Sequence, residues 1–274
     1  MLARGERCTR DLSWRGQHRN RVNTRQTRFD SHSSGRERGA KSDSEDSNPL
    51  IPLRDENPSG SFPGLTVGLI AACFAVFLYE LALGPGLREF MIEWGLVPER
   101  LTLALRFGDA PLAPALATVF SSMFLHGGWL HLIGNMWYLW IFGDNVEDRL
   151  GHARYLLFYL AGGFAAALTQ VLVGPASEVP TVGASGAIAA VLGAYAVTWP
   201  RARVVTLIPF FPFFPIVRLS ALAVLGLWFV MRFFSGALAL AWSIRSGIAW
   251  WAHIGGFVFG MAAMRLLAPR RAVQ

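Results

Sequence analysis

From residue 64 onward the chain alternates long apolar runs with short polar interruptions, and before that it has no apolar period. Runs at 64–83, about 129–146, 154–173, 185–199, 219–234 and about 247–267 approach the ~20 apolar residues that cross a bilayer as a helix. Six such runs predict an all-α fold, a polytopic membrane bundle of six helices. Residues 1–48 are rich in Arg, Ser, Asn and Gly and read as disordered. They hold no apolar core or small-residue cleavage site of a secretory signal. The expected division is a basic tail at 1–59, a membrane domain at 60–268 and a short basic end at 269–274. The abrupt change of composition near Leu50 suggests that translation starts there, which an intact-mass measurement would reject by finding residues 1–48 present.

The interruptions carry their own expectations. Residues 84–112 mix Arg88, Glu89, Glu93, Glu99 and Arg100 with Phe90, Met91, Ile92 and Trp94, the mixture of a segment lying in the interface. The apolar stretch 111–142 is too long for one crossing and breaks at Gly127-Gly128, so its first half is expected at the membrane surface. A polar loop is expected at 143–152 and a short connection at 174–181. The Pro/Phe-rich stretch at 200–218, with Arg201, Arg203 and Arg218, reads as a loop pressed against the membrane. Glu80 is expected to reach headgroups, and Arg232 and Arg265 to snorkel.

Composition agrees with a membrane protein, since only 16% of residues are charged against roughly 25% in a soluble domain. The net charge of +7 is concentrated near the start, where residues 1–55 carry 12 Arg/Lys and 8 Asp/Glu. No aromatic interleaving accompanies that charge, so it reads as a topology signal and not as a nucleic-acid surface. Six crossings put both termini on one side, and Lys/Arg favour that side 20 to 5, or 8 to 5 without the tail. The positive-inside rule then makes both termini cytoplasmic, in a bacterial-style inner membrane. Cys8 and Cys73 lie in a polar tail and an apolar run, which indicates no disulfide framework.

Candidate chemistry centres on Gly183-Ala-Ser-Gly186, at the head of the fourth run. A lone serine in a membrane helix is ordinarily a packing residue. Ser185 becomes a nucleophile only if a base and oxyanion donors reach the same depth. Ionisable groups at membrane depth are costly, which singles out His126, His131 and His253. His131 and Asn135 are spaced i, i+4 and share a helix face. Gly256 and Gly260 follow His253 on one face, and Ser185, Ala189 and Gly193 form a matching small face. Two such faces let backbones approach closely in lipid. The alternating topology brings His131, Ser185 and His253 to the same outer level, within roughly 10 Å of the helix ends. His253 can then serve as base to Ser185, with Asn135, His131 and the first N–H groups of the fourth helix as oxyanion donors. No acidic residue lies at that level in these runs, so a Ser-His dyad is expected. His126 is expected to hold the surface segment by hydrogen bonding.

These motifs, with Ala252-His-x-Gly-Gly-x-x-x-Gly260, resemble the rhomboid family of intramembrane serine proteases, over roughly residues 60–268. The resemblance implies a six-helix fold that cleaves transmembrane protein substrates near their outer ends, without a cofactor. It implies Ser185 as nucleophile and His253 as base, with Asn135, His131, Gly183 and His126 in support. Gly186, Gly256 and Gly260 are helix-packing residues, and Trp228 and Phe229 on the fifth run correspond to a substrate gate. Many members carry an adjacent Trp-Arg pair in the first loop. This chain has Trp94-Gly95 with Arg100 further on, so no role transfers to that loop.

Three other readings compete. A three-histidine zinc site lacks a His-Glu-x-x-His and leaves the glycine-serine turn unexplained. A transporter or channel would show internal repeats and broken helices at the midplane; a catalytically silent membrane protein or transporter that binds transmembrane helices stands as the alternative function. A soluble α/β-hydrolase elbow would require glycine where Ala187 stands.

Overall fold

The computed structural model describes residues 50–106, 108, 111–210, 212–242 and 249–267. The tail to residue 49 and the C-terminal end from 268 lie outside the described residues. Nine α-helices and three short strands are present among the described residues. They run in the order β1 (Ile51–Asp55), α1 (Gly64–Ala82), α2 (Leu87–Trp94), α3 (Pro98–Arg106), α4 (Leu112–Ser121), α5 (Trp129–Leu150) and α6 (His152–Val173). There follow α7 (Ser185–Thr198), β2 (Arg203–Leu207), β3 (Ile216–Ser220), α8 (Ala221–Ala241) and α9 (Trp250–Leu267). Helices α1, α6 and α8 are each long and apolar enough to cross a membrane. The protein is therefore an integral membrane protein built mainly of helices.

Helix α7 is the hub. It is only 14 residues long, and 11 of them are buried. With α5, α6, α8 and α9 packed against it, the helix is enclosed by protein, and its sequence is accordingly apolar on every side. The α7–α9 contact is the closest. A Cβ added to Gly256 would strike the Gly186 carbonyl, one on Gly260 the Ala190 carbonyl, and one on Gly193 the Phe257 carbonyl. Removing those side chains allows backbone-to-backbone contact, which is how helices associate where no hydrophobic effect drives them together.

Three expectations need correction. The fold is not all-α: β1, β2 and β3 form an antiparallel sheet in that order. The stretch at 200–218 is thus largely a hairpin, and Ile51–Asp55 is a paired strand, not part of a disordered tail. The polar stretch from Gly143 does not leave the helix, and α5 continues to Leu150. Its polar side chains find tertiary partners. Glu147, fully buried, accepts from the Leu65 and Thr66 N–H groups, and so caps α1 with a carboxylate. Asn145 donates to Asp55 and accepts from Asn57. Finally, Glu80 does not reach headgroups. It is 1% exposed and accepts from the backbone N–H of His126 at 3.1 Å.

Candidate active site

Ser185 is the first residue of α7 and His253 lies in the first turn of α9. The glycine contacts that draw these helices together bring the two side chains to 2.7 Å, Ser185 Oγ to His253 Nε2. The imidazole is buried, with Trp228 of α8 on one side at 5.9 Å between ring centroids and Trp250 at 6.5 Å. The ring is held by packing as well as by the hydrogen bond. Trp228 and Phe229 also contact Phe257, the latter in a stacked pair at 4.8 Å. Both residues expected at a gate therefore fasten α8 to α9. Arg232 lies over the Trp228 and Trp250 rings, at 5.4 and 5.2 Å, a cation–π sandwich and not only a snorkelling side chain.

Gly183 makes the approach to Ser185. Its φ of +121° is a conformation that L side chains rarely adopt. Its N–H donates to the Ser122 carbonyl at 2.8 Å. A Cβ there would lie 2.6 Å from His131 Nε2 and 3.5 Å from Asn135 Nδ2. Only glycine leaves room for the two α5 side chains beside the serine turn. Asn135 is 8% exposed and its Nδ2 has no hydrogen-bond partner among the described residues. A buried donor left unsatisfied is costly, and such atoms mark places where a ligand completes the bonding. Gly127 N–H donates to His131 Nδ1 at 3.4 Å, and Nε2 is the ring nitrogen that faces Gly183.

His126 holds its loop differently from the expectation. Its N–H is bound by Glu80, its Nδ1 lies 3.1 Å from the Phe124 carbonyl, and its ring meets His131 edge-on at 5.2 Å. It buttresses His131. Sequence reasoning sent Glu80 to the headgroups, although a carboxylate near the end of an apolar helix was a signal of buried pairing as much as of snorkelling. It also gave the first loop no role. In the structure Leu96 pairs with Thr181 through both backbone bonds, and Glu99 N–H donates to the Ser177 carbonyl. Arg100 donates to the Ile92 carbonyl and closes the end of α2. The loop thus splints the strand-like segment that delivers Ser185. The described residues contain no cluster of His, Cys, Asp and Glu suited to a metal ion.

Fold and site together define a polytopic helical membrane protein with a serine–histidine pair seated between two helices. The sequence profile described as the Rhomboid domain matches residues 114–270, more than half of the chain, and the chain belongs to the rhomboid family. It is 32% identical over 143 residues to presenilin-associated rhomboid-like protein A, mitochondrial, of Danio rerio, covering 51% of this chain and 34% of that protein. Against presenilin-associated rhomboid-like protein, mitochondrial, of Bos taurus it is 28% identical over 200 residues, 71% of this chain and 46% of the relative. Against rhomboid-like protein 11, chloroplastic, of Arabidopsis thaliana it is 41% identical over 75 residues, 27% of this chain and 26% of the relative. The chain spans less than half the length of these curated relatives.

Proposed function

We propose that the protein is an intramembrane serine endopeptidase that hydrolyses peptide bonds in or beside the transmembrane segments of other membrane proteins. The observation that carries this reading is the 2.7 Å Ser185–His253 contact, set beside a buried and unpartnered Asn135 amide. Six crossings are part of the reading, with α5, α7 and α9 as the inner helices and α1, α6 and α8 outside.

In the first step His253 Nε2 takes the Ser185 hydroxyl proton while Oγ attacks the scissile carbonyl carbon. The C=O electron pair moves onto oxygen. Asn135 Nδ2–H, His131 Nε2–H and N–H groups at the start of α7 are the donors for that charge. The imidazolium returns its proton to the departing amine, and an ester to Ser185 remains. Water then gives its proton to His253 and attacks the ester, releasing the acid and restoring the serine. Trp250, on the same helix as His253, stays beside the imidazole while α8 moves. A transmembrane substrate reaches the pair by displacing α8, whose Trp228 and Phe229 cover it.

Labelling with a fluorophosphonate tests the reading. The wild type should label, Ser185→Ala and His253→Ala should not, and a transmembrane substrate in proteoliposomes should be cut only by wild type. Absence of labelling in a wild type of unchanged helicity would sink it. The bacterial-style inner membrane expected from the sequence gains no support from the relatives, whose names place them in mitochondria or a chloroplast.

A further inference from the structure

The sheet lies at the end of the bundle away from Ser185. Asp55 at the end of β1 accepts from Tyr195 of α7 at 2.6 Å and from Asn145 of α5 at 3.0 Å. From there β1 does not lead away from the bundle. The Trp137 indole N–H donates to the Pro52 carbonyl at 2.6 Å, and Trp137 stands eight residues before Asn145 on α5, about 12 Å nearer the Ser185 side. The sheet is therefore folded back along the helices. Its hairpin tip points into the depth occupied by the spans.

The side chains follow that geometry. Register places Ile51, Leu207 and Ile216 in one row across the sheet, and Arg54, Val205 and Arg218 in the next. Alternation puts both rows on the outer face, since Pro52, Val204 and Thr206 between them are buried. The apolar row is the one nearer the tip, where Phe210, Phe213 and Phe214 are 67%, 68% and 56% exposed. The arginine row lies about 7 Å back toward the base of the hairpin. Arg54 and Arg218 flank a shallow cleft of about 550 Å³. Arg218 Nε pairs with Glu56, and Arg54 adds a second positive charge to that row.

Most of the described tip backbone is also suited to lipid, where an unpaired donor costs several kcal/mol. Pro209, Pro212 and Pro215 have no N–H to satisfy. Ile208 donates to the Pro215 carbonyl, and Phe210 and Phe213 bond to one another. At the outer edge of β1, the Trp137 indole satisfies the Pro52 carbonyl. We propose that this sheet face is a bilayer-docking surface: the hairpin tip inserts among the acyl chains of the leaflet opposite the Ser185 side, and Arg54 and Arg218 engage phosphates of anionic phospholipid. The bilayer is the occupant because the sheet is joined to the spans without slack. Ser220 ends β3 and Ala221 begins α8. Aromatic tip and cationic row are separated by the 5–10 Å over which an interfacial segment passes from acyl chain to headgroup.

The test uses the full chain in nanodiscs of mixed phosphatidylglycerol and phosphatidylcholine, with Cys8→Ser and the fully buried Cys73 retained. An environment-sensitive fluorophore is attached at Phe213→Cys and, as the surface reference, at Arg201→Cys. At the tip, emission should shift to the blue, nitroxide on lipid acyl chains should quench it, and iodide should quench it several-fold less than at the reference. Iodide quenching equal to the reference places the tip in water and overturns the proposal. Protection from both quenchers means that protein covers it, and overturns it as well. If Phe213→Cys does not fold, Ile216→Cys gives the same readout. Acyl-nitroxide quenching should weaken in Arg54→Gln/Arg218→Gln and in pure phosphatidylcholine. Quenching unchanged in both would remove the phosphate contacts from the proposal.

Discussion

At the scale of single residues the site depends on a few side chains whose environments differ sharply. Asn135 Nδ2 is buried and has no hydrogen-bond partner among the described residues, and in the proposed reaction it donates to the developing oxyanion. Asn135→Leu should lower kcat about 10²–10³-fold with little change in KM, the signature of a lost transition-state donor. Gly183→Ala forces a Cβ toward His131 at a φ of +121°. It should destabilise the protein by about 1–3 kcal/mol, measured as a lower Tm in detergent, and depress turnover as well. Ser185, His253 and the i, i+4 pair His131 and Asn135 stood out in the sequence because each is a polar group within an apolar run. Glu80 did not stand out as a paired group. Its partner is a backbone N–H 46 positions away, and backbone donors leave no mark in a sequence.

At the scale of elements, the α7–α9 contact sets the Ser185–His253 distance. Gly260→Val places side-chain atoms where the Ala190 carbonyl now lies. It should cost at least about 1–3 kcal/mol by overpacking. It should also abolish fluorophosphonate labelling while Ser185 and His253 are both present, which checks that helix approach and not residue identity makes the pair. Helix α8 is fastened to α9 by the Phe229–Phe257 stack and by Arg232 between two tryptophans. Phe229→Ala removes the stack, worth about 0.5–1.5 kcal/mol beyond its buried area. It should speed cleavage of a transmembrane substrate and leave labelling by a small fluorophosphonate unchanged. The starts of the six longer helices α1, α5, α6, α7, α8 and α9 were legible to within a few residues from apolar run length. The end of α5 was not, because Asn145 and Glu147 look like a loop until their partners on β1 and α1 are in place.

At the scale of the whole molecule, the N-terminal strand ties the end of the bundle remote from Ser185. Burial lifts the Asp55 carboxyl from its ordinary range to about 6, with the Asp144 charge adding to the effect and the Tyr195 hydrogen bond opposing it. The folded protein therefore holds this proton more tightly than the unfolded chain does. The contribution is fully present below about pH 4 and is lost as pH rises through about 6. Thermal unfolding in detergent should show this group's share of Tm falling between pH 4 and 6. Asp55→Asn, which keeps an acceptor for Tyr195, should flatten that part of the profile.

What the sequence determined by itself was the class of protein and the chemistry it could hold. Run length sets whether a segment can cross lipid, and polar groups in apolar helices are too costly to be there without a use. Helical spacing then sorted those groups onto faces. What only the tertiary structure decided was which faces meet and which polar atoms find partners. The 2.7 Å Ser185–His253 distance, the Glu80 bond to His126 and the sheet that joins Ile51–Asp55 to Arg203–Leu207 all join residues far apart in the chain. Local periodicity carries no record of such pairings, since their energies arise only when separate elements come into contact.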